Sequence, residues 1–362
     1  MSQRPILIMA GGTGGHVFPG LAVAAHLQAQ GEEVCWLGTA RGLEARLVPE
    51  AGIPFHTLPV SGLRGKGLGT WLLAPWRVGV ALWAALALLM RLKPRAVLGL
   101  GGFASGPGGL MAAALGRPLV IHEQNAVAGL TNRWLAGPAD LVLEAFPDTF
   151  AARHEAVTVG NPVREQILRL PAPAQRMAGR EGRLRLLVVG GSLGALALNT
   201  CVPEAVARLP REERPLIRHQ AGERTVEQAR AAYQAADVEA RVDAFIEDMA
   251  EAYAWADVVI CRSGALTVSE LAAAGVASLL VPYPHAVDDH QRTNGRYLAD
   301  PGAAWLVPQT EFNPEELAAR LGAMTRPRLL DMAEKARSLA HPEATRRVAE
   351  ACQALARGGD GQ

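Results

Sequence analysis

Two apolar runs in this chain each end in a glycine-rich loop that opens a helical stretch, and this duplication constrains the fold more than any other feature. The first run, residues 6–10, leads into Gly11-Gly-Thr-Gly-Gly-His16 and a helical pattern through 21–30. The second, residues 184–189, leads into Gly190-Gly-Ser-Leu-Gly-Ala195 and a helical pattern through 199–208. Runs this short and this uniformly apolar read as strands covered on both faces, which is the pattern of a parallel sheet flanked by helices. Further runs at 33–37, 96–100, 119–122 and 141–143 continue the first half. Those at 216–220, 241–244, 258–261 and 278–281 continue the second. The expected fold class is therefore α/β, with two Rossmann-like domains whose parallel sheets face a central cleft. A length of 362 residues allows each half its own core. The boundary is expected at Asn161-Pro-Val-Arg164, giving domains 1–161 and 162–340. Residues 341–362 are expected to form an amphipathic helix that docks back on the body, with Val348, Cys352 and Leu355 opposite Arg346, Arg347 and Glu350.

In such sheets ligands sit beyond the carboxyl ends of the strands, where the glycine loops lie. Neither loop is a nucleotide-binding Gly-Lys-Ser/Thr loop, and Gly62-Leu-Arg-Gly-Lys-Gly67 has the wrong spacing. The first loop half-resembles a dinucleotide fingerprint, but the next strand ends in Leu37-Gly-Thr39 without an acid for a ribose, which argues against a nicotinamide oxidoreductase.

The stretch richest in chemistry is Asp257-Val-Val-Ile-Cys-Arg-Ser-Gly-Ala-Leu-Thr-Val-Ser-Glu270. It reads as a buried strand, a turn at Ser263-Gly264 and a helix from Ala265. Unpaired N–H groups and the macrodipole at that helix start suit an anion. Thr267 and Ser269 add hydroxyls, and Glu270 could accept both hydroxyls of a ribose. Together they suggest a nucleoside diphosphate; an ordinary strand–turn–helix with a polar first turn is the alternative. His16 stands at the start of the first helix, where positive potential disfavours the imidazolium, so it reads either as a neutral general base or as a capping or orienting residue. His122-Glu-Gln-Asn125 ends a strand at the same sheet edge; it is not His-Glu-x-x-His, and no zinc site is read there. Asp288-Asp-His290 reads as a solvated helix start, with Gln291 and Asn294 on one face.

Net charge is only +1, yet it is unevenly spread. No acidic residue falls between Glu50 and Glu123, while Arg64, Lys66, Arg77, Arg91, Lys93, Arg95 and Arg117 all do. An acid-free basic segment points to an anionic partner: anionic lipid, a phosphorylated substrate or, weakest because no recognition motif accompanies the charge, nucleic acid, so no nucleic-acid partner is expected. Inside the segment, residues 71–90 are the most apolar of the chain. Pro75 and Arg77 leave too short a run to span a bilayer, which needs about 20 residues. A core helix, an acceptor-binding surface and a helix lying on a membrane remain; tryptophans at both ends and flanking cations favour the last, with Leu72, Leu73, Trp76 and Arg77 as its contact residues. The four cysteines are scattered and read as reduced, packed thiols. The first residues lack the pattern of a secretion signal.

Six motifs, in order along almost the whole chain, resemble one known family: 10–20 (Ala-Gly-Gly-Thr-Gly-Gly-His-Val-Phe-Pro-Gly), Ser61-Gly-Leu-Arg-Gly-Lys66, 101–108 (Gly-Gly-Phe-Ala-Ser-Gly-Pro-Gly), His122-Glu-Gln-Asn125, Gly160-Asn-Pro-Val-Arg164 and 262–270. The chain is similar to the family 28 glycosyltransferases of GT-B fold that pass N-acetylglucosamine (GlcNAc) from UDP to lipid I. Lipid I is undecaprenyl-pyrophosphoryl-MurNAc-pentapeptide, and the product is lipid II, for peptidoglycan synthesis, cell shape and cell division.

The resemblance implies an inverting hexosyltransferase, with an N-terminal domain for acceptor and membrane and a C-terminal domain for UDP-GlcNAc. It implies a peripheral protein on the cytoplasmic face of the inner membrane, in contact with anionic lipids and with other cell-wall synthesis and division proteins. By position, the backbone of Ile246 would hold uracil and Glu270 the ribose. Ser192 and the helix start Ala265, Leu266, Thr267, Val268 and Ser269 would hold the diphosphate, with Arg164 near. Asn125 and Gln291 would contact the sugar, and Thr13, Gly14 and Gly15 would line the acceptor side. His16 is the candidate base and Glu123 the second candidate. Leu193 departs from the family, which usually carries Gln there. No metal or cofactor is demanded, with stimulation by a divalent ion left open. Other classes to weigh are another glycolipid glycosyltransferase, a UDP-sugar 2-epimerase and a non-catalytic nucleotide-sugar sensor.

Overall fold

The computed structural model describes residues 4–59, 74–191 and 194–358. The expectations for Leu72, Leu73, Ser192 and Leu193, and the motif at 61–66, lie outside the described residues. The chain divides into two compact units, Met1–Arg164 with His341–Gln362, and Glu165–Ala340.

The first unit is built on seven strands: β1 (Ile6–Met9), β2 (Val34–Thr39), β3 (Phe55–Leu58), β4 (Ala96–Gly99), β5 (Leu119–Glu123), β6 (Leu141–Glu144) and β7 (Val157–Thr158). Their order is β3-β2-β1-β4-β5-β6-β7, with every neighbouring pair parallel. Every residue of β1 and β4 is buried because helices cover both faces. Ile6 and Ile8 pack with Val17, Val23 and Leu27 on one side. Leu7 and Met9 pack with Ala85, Leu89 and Ala112 on the other. Each such side chain taken wholly out of water contributes about 1.5–3 kcal/mol. The C-terminal helix Ala344–Gly358 belongs to this unit: Val348, Ala349 and Cys352 enter the first of those clusters, and Arg347 donates to the Thr158 carbonyl at 2.9 Å.

The helix after β1 spans Gly14–Ala29, with Thr13 as its extended N-cap directly behind the glycines. His16 therefore sits in its first turn. Strand order reverses between β1 and β4, which puts the ligand crevice outside the carboxyl ends of those two strands. The Ser105 hydroxyl, fully buried, lies 2.8 Å from the Met9 carbonyl and 2.6 Å from that of Gly101, tying the two loops that flank the crevice.

The second unit repeats the plan with β8 (Arg185–Val189), β9 (Leu216–Gln220), β10 (Arg241–Asp243), β11 (Val258–Cys261), β12 (Ala277–Leu280) and β13 (Ala304–Leu306). The order β10-β9-β8-β11-β12-β13 is again parallel throughout, with its reversal between β8 and β11. The structure has the doubly wound α/β architecture in both units. Strands β3, β7 and β13, absent from the sequence reading, all lie at sheet edges. An edge strand is covered less completely and needs no continuous apolar run.

All four cysteines are free and buried, and burial pushes each thiol up to about 12. Among the described residues no helix is long and apolar enough to cross a membrane, and no group of three or more His, Cys, Asp or Glu side chains could hold a metal ion.

Candidate functional site

In the first unit the loop after β1 and the loop after β4 bring His16 against Gly101. A Cβ on Gly101 would stand 3.2 Å from both Cδ2 and Nε2 of the imidazole, and Gly101 has φ +94°. The ring therefore occupies space that only a glycine leaves open. The buried Nδ1 of His16 has no hydrogen-bond partner of ordinary geometry among the described residues. Burial lowers the His16 pKa from its ordinary value, while Glu123, the Gly11 backbone and Glu44 pull the other way. A neutral imidazole is the form a base requires. Thr13 is exposed and Gly14 and Gly15 are half-buried beside it.

Glu123, only 2 % exposed at the end of β5, spends both oxygens on the loop and helix that follow it. Oε1 accepts from the Asn125 N–H at 2.9 Å and from Asn125 Nδ2 at 3.1 Å. Oε2 accepts from the Gly129 N–H at 3.0 Å and from Asn132 Nδ2 at 2.9 Å. The amide of Asn125 is thus oriented by Glu123. His122 is fully buried: Gln124 Nε2 donates to its Nδ1 at 3.0 Å, so its Nε2–H donates to the Gly160 carbonyl at 2.9 Å. Arg164, the last residue of this stretch of the first unit, holds its guanidinium 5.8 Å from the ring centroid of Phe18.

In the second unit β11 ends at Cys261 and the helix Ala265–Ala274 starts after the Gly264 N-cap, which offers no side-chain cap. The Val268 N–H already bonds to the Gly264 carbonyl at 2.9 Å, and its side chain is fully buried. The N–H groups of Ala265, Leu266 and Thr267 are the ones that helix geometry leaves for an anion. No acidic side chain in the first turn competes for them. Ser269 donates its hydroxyl back to the Ala265 carbonyl at 3.0 Å. Glu270 is buried in the same helix, with the Tyr253 hydroxyl donating to Oε2 at 3.2 Å. The Ile246 N–H is taken by Gln220 Oε1 at 2.9 Å, which a sequence cannot show, and the neighbouring Phe245 is exposed. Gln291 Oε1 accepts from the Tyr283 N–H at 2.9 Å, leaving its amide hydrogens for other partners.

The helix Ala74–Leu92 divides sharply by face. Ala81, Ala85 and Leu89 are buried, whereas Trp76, Val80, Trp83 and Met90 recur at helical spacing on the exposed side, with Trp76 74 % and Trp83 72 % exposed. Arg77 and Arg91 are exposed on the same helix. On a second helix of the same unit, Leu130–Leu135, Leu130 and Trp134 are exposed as well. Large apolar side chains exposed at helical spacing along one face are a mark of an interaction surface.

Glu44 escaped the sequence reading altogether. It is fully buried and hydrogen-bonded to the first glycine loop, five residues past the strand end where no acid was found.

Comparison with known proteins gives this geometry its context. The N-terminal domain of glycosyltransferase family 28 matches residues 6–143, and the C-terminal domain of that family matches residues 185–351. A relative in Cupriavidus necator, named UDP-N-acetylglucosamine–N-acetylmuramyl-(pentapeptide) pyrophosphoryl-undecaprenol N-acetylglucosamine transferase, is 57 % identical over 354 residues, covering 98 % of this chain and 99 % of the relative. A protein of the same name in Marinobacter nauticus is 54 % identical over 358 residues, with 98 % and 99 % covered. The crystal structure of Acinetobacter baumannii MurG superposes with a TM-score of 0.85 at 44 % identity, over 97 % of this chain and 100 % of that one. With two matched domains and more than half of its residues shared with such relatives over nearly its whole length, the chain belongs to glycosyltransferase family 28.

Proposed function

We propose that this chain is an inverting glycosyltransferase that moves GlcNAc from UDP-GlcNAc to the C4 hydroxyl of the muramyl sugar of lipid I, yielding lipid II. The observation that carries the reading is its near full-length relation to transferases bearing that name. The site residues supply the chemistry such a transfer needs. In the second unit the free N–H groups at Ala265, Leu266 and Thr267 take up the charge that develops on the departing diphosphate. Ser192, Ser269 and Arg164 are assigned to the same diphosphate. Glu270 accepts the ribose hydroxyls. With its N–H taken, Ile246 keeps its carbonyl for the imide N–H of uracil, and Phe245 offers a face for the base to stack on. Gln291 and Asn125 hold the transferred sugar.

In the first unit Thr13, Gly14 and Gly15 receive the acceptor, and His16 takes the proton from its hydroxyl as the new C1–O bond forms and the bond to UDP breaks. His16 is preferred over Glu123 because the glutamate already holds four donors from the loop and helix that follow β5. The tryptophan-bearing face of Ala74–Leu92 sets the protein on anionic lipid as a peripheral protein of the cytoplasmic membrane face, where the acceptor resides.

Incubation with radiolabelled UDP-GlcNAc and a lipid I analogue tests the reading. A β-linked lipid II product is expected. Label released only as free sugar, or donor epimerised at C2 with no transfer, refutes it.

A further inference from the structure

Glu44 is the one fully buried carboxylate at the first glycine loop that the reaction described above does not use. It is the first residue of the short helix Glu44–Glu50, and its side chain reaches back across the end of β2. Oε2 accepts the Gly12 N–H at 3.0 Å. Oε1 accepts the Thr39 N–H at 3.0 Å and the Thr39 hydroxyl at 2.7 Å. Three glycines make room for it. A Cβ on Gly11 would stand 2.5 Å from Oε1, one on Gly38 would stand 2.7 Å from Cγ, and one on Gly42 would overlap the carboxylate. A carboxylate without solvent costs several kcal/mol unless donors surround it, so a socket lined by three glycines and three donors is a built feature rather than an incidental contact.

We infer that Glu44 is a positioning residue for His16: through the Gly12 N–H and the end of β2 it fixes the glycine loop that carries the imidazole. The inference rests on the transferase reading given above. The loop is held at Gly12, four residues before His16, so a shift of the carboxylate moves the start of the helix that presents the ring. Two carboxylates act on His16, Glu123 from the end of β5 and Glu44 from the short helix, and both favour the protonated ring. Removing either lowers the imidazole pKa. Glu44 touches neither acceptor nor donor in this scheme; it acts only through the loop and the field.

The test is Glu44→Gln, which keeps the shape, removes the charge and sets an amide against the Gly12 donor. Wild-type transfer to a soluble lipid I analogue is measured first, so that loss of the overall reading is distinguished from loss of this one. For the variant, kcat should fall by about 10²-fold, the size of effect that follows an ångström-scale misplacement, with donor KM nearly unchanged. The low-pH limb of the kcat profile, and the His16 ring titration followed by NMR, should both move to lower pH. A purely structural role would reduce kcat and leave that limb in place, and this result, like wild-type kcat, overturns the inference. If Glu44→Gln fails to fold, Thr39→Val decides. It removes one donor and keeps the charge, so kcat should fall severalfold with the limb unmoved; wild-type kcat in Thr39→Val overturns the inference.

Discussion

Replacing Gly101 by alanine strikes His16 without changing a single polar group. Gly101 has φ +94°, where an L-residue is strained by about 1–2 kcal/mol. Lower entropy of the unfolded chain returns about 0.4–1 kcal/mol of that. A net loss near 1 kcal/mol should reduce Tm by about 2–4 °C for a domain of this size. The catalytic effect has a different origin. The new Cβ would stand 3.2 Å from Cδ2 and Nε2 of His16, so the ring must yield by a few tenths of an ångström. If an ångström of misplacement costs about 10²-fold in rate, this displacement should lower kcat by ~4- to 10-fold. Gly52→Ala is the control, because Gly52 has φ +70° with nothing within 4 Å of a new Cβ. It should show a comparable Tm loss and wild-type kcat. Steady-state transfer to a soluble acceptor, with a thermal melt of each variant, decides the matter. Equal kcat in wild type and Gly101→Ala, with the two alanine variants melting alike, would remove His16 from the reaction.

Three further outcomes test other parts of the molecule. Glu270→Ala should raise donor KM by roughly 10- to 150-fold, the equivalent of about 1.5–3 kcal/mol for one hydrogen-bonded charge; unchanged UDP affinity by calorimetry would take Glu270 out of the donor site. The double variant Trp76→Ser/Trp83→Ser should float poorly with phosphatidylglycerol vesicles and keep its activity on a soluble acceptor. Wild-type flotation should weaken in 1 M salt, where the Debye length is ~3 Å, and equal recovery of both proteins in all conditions would refute the membrane assignment. His219 is buried between Tyr233 and Asn199, and burial lowers its pKa to about 3. The unfolded state binds a proton near pH 6.5 that the folded state refuses, so stability present above pH 6.5 should be lost as pH falls toward 3. The loss should be about 1.4 kcal/mol per pH unit, and urea midpoints of wild type and His219→Leu that fall in parallel from pH 7 to pH 5 would count against it.

The sequence by itself determined the two-unit α/β plan. Uniformly apolar strands ended by glycine loops, repeated after some 180 residues, leave few alternatives for burying both faces of a sheet. It also singled out candidate site residues, because a histidine beside glycines and a glutamate early in a helix carry their chemistry in local spacing. It could not supply the edge strands β3, β7 and β13, whose half-covered positions need no apolar run. Nor could it show that the Ile246 N–H and both oxygens of Glu123 are already engaged, since their partners arise from the turn of the loop or from a distant strand. Glu44 makes the limit plain. Its sequence spacing resembles no motif. Only when β1 and β2 lie parallel, with Ile6 opposite Val34 and Met9 opposite Leu37, do Gly11, Gly12, Gly38 and Thr39 close around one carboxylate. Local propensity and periodicity act over a few residues and are legible in a linear string. A socket drawn from three segments exists only after the sheet has set their register, and so the tertiary structure alone decides what that glutamate does.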